Sequence, residues 1–137
     1  MSLLSDAAAA TAIAASRSKA AELGVPVNIA VLDGGGHLKL FSRMDGAVIG
    51  SIELAIGKAR TSVLFNLESE GVFEYCKPGA PAFGLENSNG GLVVFAGGRP
   101  LRNADGVVVG AIGVSGGAVP QDRDIAAAGE AAFRQSK

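Results

Sequence analysis

The sequence predicts an α/β fold of the α+β type, in which a five-stranded, mainly antiparallel sheet is flanked by helices. Two observations carry this prediction. Apolar residues follow a helical spacing at the start, in the middle and at the end of the chain. Between these segments, short glycine-containing turns join strand-like runs. Turns of that length connect antiparallel neighbours, because parallel strands need long crossovers. We therefore expect residues 1–137 to form a single domain.

The composition restricts the classes of function. The 137 residues are 48% hydrophobic and 18% charged, as is typical of a globular protein. Because 12 Lys and Arg side chains stand against 13 Asp and Glu, we expect no nucleic-acid partner. The alanine-rich start does not resemble a signal peptide, and no apolar run is long enough to span a membrane. The single cysteine, Cys76, cannot form an internal disulfide, so we expect a cytoplasmic protein.

Three main helices are predicted from apolar periodicity and capping residues. The first begins at Ser2 or Ser5 and stops at Gly24, and one of its sides carries Ile13, Ala20 and Leu23. The second begins near Ala47, and its apolar side consists of Val48, Ile52, Ala55, Ile56, Ala59 and Val63. The last begins near Pro120 or Gln121, and its buried side consists of Ile125, Ala128, Gly129 and Ala132.

Five strands are predicted between the helices, at 27–32, 38–42, 92–95, 99–102 and 107–114. The turns that join them lie at 33–36, 97–98 and 103–106, and each contains glycine. The segment from 67 to 89 is long for a plain connection. It has room for a short helix near 70–75, and we expect it to form a lid or a pocket wall.

A small set of charged residues suggests a reactive site near the second helix. Arg43 can clamp a carboxylate, Lys58 can act as an acid or base if burial lowers its pKa, and Asp45 can balance either one. Structural roles are the alternatives. Asp45 can pair with Arg43 or cap the second helix, and Lys58 can be an ordinary lysine beside an apolar face.

The glycine-rich end of the last strand suggests an anion site. Ser115, Gly116 and Gly117 precede a helix, where free N–H groups and the helix dipole favour a carboxylate or a propionate. In the alternative, Asp122 and Asp124 satisfy that terminus from within the chain. The G-x-S-x-G pattern around Ser115 does not indicate a serine hydrolase, because no histidine follows it.

Several motifs in order resemble the GlcG/HbpS family, which includes the C-terminal domain of PduO-type proteins. These motifs lie at 43–47, 57–61, 97–101, 105–117 and 121–126, and the resemblance spans nearly the whole chain. It implies a profilin-like or PAS-like arrangement of sheet and helices. It also implies dimers or higher homo-oligomers, and haem or a corrinoid as the ligand of some branches. Many members accompany enzymes that break down small organic molecules.

A haem would need an axial ligand from His, Met, Cys or Tyr. We expect His37 to be the ligand, because it follows three glycines at a hairpin tip, although the same position suits a surface histidine without a ligand. The other candidates are Met1, Met44, Tyr75 and Cys76. One histidine and one cysteine far apart do not form a zinc site, so no structural metal is expected.

Two functions follow from the sequence and the resemblance. The first is a small-ligand-binding protein that holds haem or a related tetrapyrrole, with His37, Ser115, Gly116 and Gly117 at the cofactor. The alternative is an enzyme or accessory subunit that acts on a small carboxylate, with Arg43 as anchor, Lys58 as acid or base and Asp45 beside them. This alternative predicts a small polar pocket near Arg43, Lys58 and Ser115.

Overall fold

The computed structural model describes residues 3–136 and has an α+β architecture. The helices are α1 (Asp6–Leu23), α2 (Ser51–Phe65), α3 (Ser69–Cys76) and α4 (Val119–Gln135), with a 3-10 turn at Leu85–Asn87. The strands are β1 (Asn28–Asp33), β2 (Leu38–Arg43), β3 (Gly98–Arg102) and β4 (Val108–Ser115). The sheet order is β2-β1-β4-β3, and all neighbours are antiparallel. The predicted class is confirmed, but the sheet has four strands and not five.

The strand predicted at 92–95 does not form, and this part of the prediction was wrong. The Ser69 hydroxyl at the start of α3 donates to the Phe95 carbonyl and accepts from the Gly98 amide at 2.8 Å. A side chain therefore binds backbone groups that a hairpin would have paired. Residues 97–98 consequently form no hairpin turn, and Gly98 begins β3 instead. The short helix expected near 70–75 is present as α3.

The side chains of the sheet alternate between two helical layers. Ile29 and Val31 of β1 face the core shared with α1 and α4, whereas Ala30 and Leu32 face α2. Gly113 lets α2 approach closely, because a Cβ at that position would overlap the carbonyl oxygen of Ala55. Small residues therefore allow close packing of α2 on the sheet.

Helix α1 has the boundaries that its capping residues predict. The Ser5 hydroxyl accepts from the Ala8 amide at 3.1 Å, and Gly24 ends the helix in the left-handed conformation at φ 72°. The alternative cap, Ser2, lies outside the described residues. Of the three residues expected along one side, Ile13 and Ala20 are buried, whereas Leu23 at the end of the helix is exposed.

Helix α2 starts later than predicted. The chain turns at 44–50, where Gly46 has φ 87° and the Ala47 amide donates to the Met44 carbonyl, so the first helical residue is Ser51. Val48 consequently lies outside the helix and is exposed. Helix α4 begins at Val119, one residue before the predicted start. Its predicted buried residues Ile125 and Gly129 are buried, whereas Ala128 and Ala132 are partly exposed.

Candidate functional site

Lys58 is buried at one end of the sheet and forms an ion pair with Asp122. Its side chain is 2% exposed, and its Nζ lies 3.1 Å from Asp122 Oδ2. The same ammonium donates to the Val114 carbonyl at 2.9 Å. Because Lys58 belongs to α2 and Asp122 to α4, the pair connects the two helical layers around the end of β4. We call this group the lysine end of the sheet.

Burial opposes the charge on both members of the pair. It lowers the pKa of Lys58, and the carboxylate of Asp122 acts against that shift. Burial likewise raises the pKa of Asp122, and the nearby Lys58 ammonium and the Gly117 amide act against that shift. A buried pair of this kind is costly to break, because the remaining charge would lack its partner.

The amides expected to bind an anion are bound by the chain itself. The Gly117 amide donates to Asp122 Oδ1 at 2.9 Å, and the Ala118 amide donates to Gln121 Oε1 at 2.9 Å. Ser115 is buried, and Gly116 has φ 139°. The Gly117 amide thus binds the carboxylate of Asp122, which is the structural alternative, whereas Asp124 contacts Arg123 instead. The anion site for a ligand stays a prediction.

Arg43 and Asp45 remain at the surface of this end. Among residues 3–136, neither side chain forms an ion pair or a hydrogen bond, so the predicted Arg43–Asp45 pair is absent there. Asp45 does not cap α2 either, because the N-cap is Gly50 and has no side-chain cap. Both structural roles proposed for Asp45 were therefore wrong.

The strand register nevertheless brings Arg43 and Ser115 to one end of the sheet. Arg43 lies opposite Asn28, and Asn28 lies opposite Ser115. The side chains of Arg43 and Ser115 therefore lie on the face of the sheet that is covered by α2. Their backbones are about 10 Å apart, because two strand spacings separate them. Asn28 is fully buried, its Nδ2 donates to the Val48 carbonyl, and its Oδ1 has no hydrogen-bond partner within residues 3–136. Sequence reasoning did not identify Asn28, because nothing local marks an asparagine that begins a strand.

A cleft of about 440 Å³ opens at the opposite end of the sheet, beside the β1–β2 hairpin. Apolar side chains and bare backbone form most of it. Its lining consists of Leu3, Leu4, Asp33, Gly34, Gly35, Lys39, Val107, Val108 and Val109. A second cleft of about 280 Å³ adjoins it and shares Leu3 and Val109. Neither cleft includes Arg43, Lys58 or Ser115. We call the first space the hairpin cleft.

Two β-bulges shape the hairpin cleft. Val31 pairs with Leu40 and Leu32 pairs with Leu38, which leaves Lys39 as an extra residue in β2. In the same way, the β3–β4 register leaves Val109 as an extra residue in β4. Both extra residues line the cleft. Bulges of this kind turn a side chain in a new direction and are common next to binding sites. The alternating sequence gives no sign of either bulge.

His37 follows the hairpin turn and is not part of the cleft lining, but two residues of that lining, Asp33 and Gly35, lie next to its side chain. Asp33 Oδ1 accepts hydrogen bonds from the Gly35 and His37 amides, each at 2.9 Å. The bond from the His37 amide is the main reason that the pKa of Asp33 lies below its usual value, and the bond from the Gly35 amide acts in the same direction. The His37 side chain is 83% exposed, and its Nδ1 lies 3.5 Å from the same carboxylate oxygen. A Cβ on Gly35 would lie 3.0 Å from Nδ1, so the ring rests against a residue of the lining.

The other candidate haem ligands are placed less favourably or lie elsewhere. Met44 packs against the core, and Cys76 is buried, with burial raising the pKa of its thiol. Tyr75 is exposed on α3, and Met1 lies outside the described residues. Within residues 3–136, no three His, Cys, Asp or Glu side chains form a group that could hold a metal ion. No helix in that range is long and apolar enough to cross a membrane.

Comparison with known proteins links this architecture to proteins of similar sequence. An uncharacterised 15.0 kDa protein from the dhaT-dhaS intergenic region of Citrobacter freundii is 40% identical over 121 residues, which are 88% of this chain and 84% of that protein. The corrinoid adenosyltransferase PduO of Salmonella typhimurium is 39% identical over 108 residues. Those residues are 79% of this chain but only 32% of PduO.

A solved structure of a PduOC:heme complex has nearly the same fold. It superposes with a TM-score of 0.90 at 36% identity and covers 96% of this chain and 95% of the PduOC chain. The family described as "Haem degrading protein HbpS-like" matches residues 4–131. The chain is therefore a member of the HbpS-like family, as its motifs predicted.

Proposed function

We propose that this protein binds haem or a related tetrapyrrole. One observation carries the proposal: the PduOC chain that is 36% identical over nearly the whole fold was crystallised as a heme complex. PduO, a relative of this chain, is a corrinoid adenosyltransferase, and this is consistent with a tetrapyrrole-type ligand. Because this chain matches only 32% of PduO, the adenosyltransferase activity is not carried over.

The residues around the hairpin cleft fit such a ligand. The cleft is lined mainly by leucine, valine and glycine, which suit an apolar macrocycle, and the exposed His37 imidazole lies next to Asp33 and Gly35 of that lining. Haem would supply an iron that an imidazole can ligate, and His37 is the residue that would hold it. In this chain Asp33 lies against His37 Nδ1, which leaves Nε2 directed away from the turn. A carboxylate beside the second nitrogen orients a ligating imidazole.

Haem titration of the purified protein tests this proposal. We expect a Soret band to develop as haem is added, and we expect the band to weaken and shift in His37→Ala. Tyr75→Phe removes another exposed side chain that can ligate iron, and it serves as the control that leaves the spectrum unchanged. Absence of a Soret change in the wild type would contradict haem binding. An unchanged spectrum in His37→Ala would contradict the role of His37. The same titration with cobalamin tests the corrinoid alternative.

A second candidate is an enzyme or accessory subunit that acts on a small carboxylate. Arg43 favours it, because this exposed guanidinium has no ion-pair partner among residues 3–136. Lys58 could serve as acid or base only after its pair with Asp122 opens. NMR titration with lactate and acetate tests the anchor. We expect the added carboxylate to shift resonances near Arg43 in the wild type but not in Arg43→Gln. Equal carboxylate-induced shifts in the two proteins would exclude this role.

We also propose that the protein forms homo-oligomers. Large apolar side chains are exposed on several elements, among them Val48, Ile49, Phe83 and Phe95. Exposed apolar surface of this kind often marks contacts between proteins. Light scattering coupled to gel filtration measures the mass directly, and a monomer at micromolar concentration would contradict the proposal.

A further inference from the structure

We infer that Lys39 binds a carboxylate of the ligand and makes the hairpin cleft selective for apolar molecules that carry an acid group. This inference rests on the proposed function and adds a specificity-determining residue to it. Lys39 and Asp33 are the charged members of the cleft lining. Asp33 already accepts two backbone amides, so Lys39 provides the charge that a ligand can use.

The bulge in β2 explains why Lys39 reaches the cleft. A regular strand would alternate its side chains between the two faces of the sheet. The extra residue interrupts that alternation between Leu38 and Leu40, and the side chain at the bulge lines the cleft together with Val109, the extra residue of β4. Two irregularities on different strands therefore present their side chains to the same space. The backbone of the bulge therefore directs Lys39 toward the cleft, whatever rotamer its side chain adopts.

The present partner of Lys39 is easily replaced. Lys39 Nζ lies 3.0 Å from Asp6 Oδ1, but the Asp6 side chain is 94% exposed, whereas that of Lys39 is 32% exposed. An ion pair with such an exposed carboxylate contributes little to stability, because water and salt screen it. A ligand carboxylate held in the cleft would be less hydrated and would interact more strongly with the ammonium. Asp6 can then return to solvent at small cost.

Haem offers the matching groups, since its macrocycle is apolar and its two propionates are carboxylates. Haem titrations followed by absorbance should give a dissociation constant roughly 5- to 10-fold higher for Lys39→Met than for the wild type, as expected for loss of one charge-assisted contact. The dimethyl ester of haem has no carboxylate. We expect the wild type to bind the ester more weakly than haem, and Lys39→Met to bind both alike.

Two further variants make the test decisive. Lys19→Met is the matched control, because Lys19 has a similar exposure of 35% and pairs with Glu22 on α1, outside both clefts. It should bind haem like the wild type. Asp6→Asn removes the competing carboxylate and should leave haem binding unchanged or tighten it by up to about threefold.

The outcomes separate the inference from the function on which it rests. If the wild type binds no haem, the proposed function fails and this inference fails with it. If the wild type binds haem and Lys39→Met binds it equally well, the role of Lys39 is overturned while haem binding stands. Weaker binding in Asp6→Asn would also overturn it. Circular dichroism of each variant verifies that the bulge substitution leaves the fold intact.

Discussion

The two ends of the sheet differ in how their polar groups are used. At the lysine end, Lys58, Asp122 and the Gly117 amide form a closed network of short contacts in which both charges are buried. At the hairpin cleft, His37 is exposed and Lys39 pairs with the solvated carboxylate of Asp6. The buried charges of the first end are paired within the chain, and Arg43 and Asp45 at its surface are exposed, whereas the charges beside the cleft are all accessible to solvent. Sequence motifs draw attention to the lysine end, but its buried centre is closed, and the cleft lies at the other end.

The comparison shows that a conspicuous motif can serve the fold. The glycines at 116 and 117 bring backbone amides onto Asp122, and Asp122 in turn neutralises Lys58. Each member of this network stabilises another, so it offers little to a ligand. In the hairpin cleft, by contrast, the turn is stabilised by hydrogen bonds of the Asp33 carboxylate and of the backbone. The side chains of His37 and Lys39 lie against solvent-exposed carboxylates, so a ligand can reach both.

The largest effect is expected for Lys58→Met at the lysine end. The substitution leaves the Asp122 carboxylate buried without its ammonium, which should lower the free energy of unfolding by about 3 to 5 kcal/mol. Adding Asp122→Leu should restore much of that loss, since no buried charge remains. Urea denaturation at one fixed protein concentration measures the free energy of unfolding of the single and the double variant. Lys19→Met is the control, and its free energy of unfolding should equal that of the wild type. A loss below about 1 kcal/mol for Lys58→Met would show that this end is not closed as described.

A smaller loss of stability is expected when a glycine is replaced by alanine, and it should differ between the two ends of the sheet. Gly113→Ala places a methyl group against the Ala55 carbonyl of α2 and should cost about 2 to 3 kcal/mol. Gly34→Ala in the hairpin cleft meets nothing nearer than the Val109 carbonyl oxygen at 3.5 Å, and it should change stability by less than about 0.5 kcal/mol. The thermal unfolding midpoints of the two variants and the wild type measure these losses of stability. Equal losses would remove the contrast between a tightly packed end and an open one.

The smallest effect concerns the turn itself and depends on pH. Asp33→Ala removes the acceptor of two amides and should cost about 1 kcal/mol at neutral pH. Hydrogen bonds from the His37 and Gly35 amides keep the folded pKa of Asp33 below its ordinary value of 3.8. The stabilisation is therefore complete above pH 3.8 and is lost as the pH falls through the lower folded pKa. The stability difference between wild type and variant should shrink only in that acidic range, and a difference that falls near neutral pH would contradict this assignment.

Local signals predicted much of the fold, because caps and tight turns depend on neighbouring residues. Ser5, Gly24 and the turn at 33–36 are examples. The strand at 92–95 was predicted wrongly because Ser69, more than twenty residues earlier, binds its backbone. Such a distant side chain cannot be seen in a local pattern.

The site was predictable in part. The sequence drew attention to Lys58 and to the amides after β4, and the structure shows that both contact the buried carboxylate of Asp122. The roles predicted for them toward a ligand stay predictions. The contact with Asp122 depends on the packing of α4 against the end of β4, which no local pattern shows. Lys39 was overlooked because its neighbours alternate like those of a regular strand. Only the register with β1 shows that it is an extra residue.

The bulge at Lys39 has a second consequence, for solubility. Strand β2 is an edge of the sheet, and an edge with regularly spaced free N–H and C=O groups can pair with a strand of another molecule and begin aggregation. The extra residue interrupts that spacing at the second position of a six-residue strand, and the charge of Lys39 makes an uncontrolled approach of a second strand less favourable. Substitutions that straighten β2 would therefore be expected to make the protein prone to fibril formation as well as to alter its cleft.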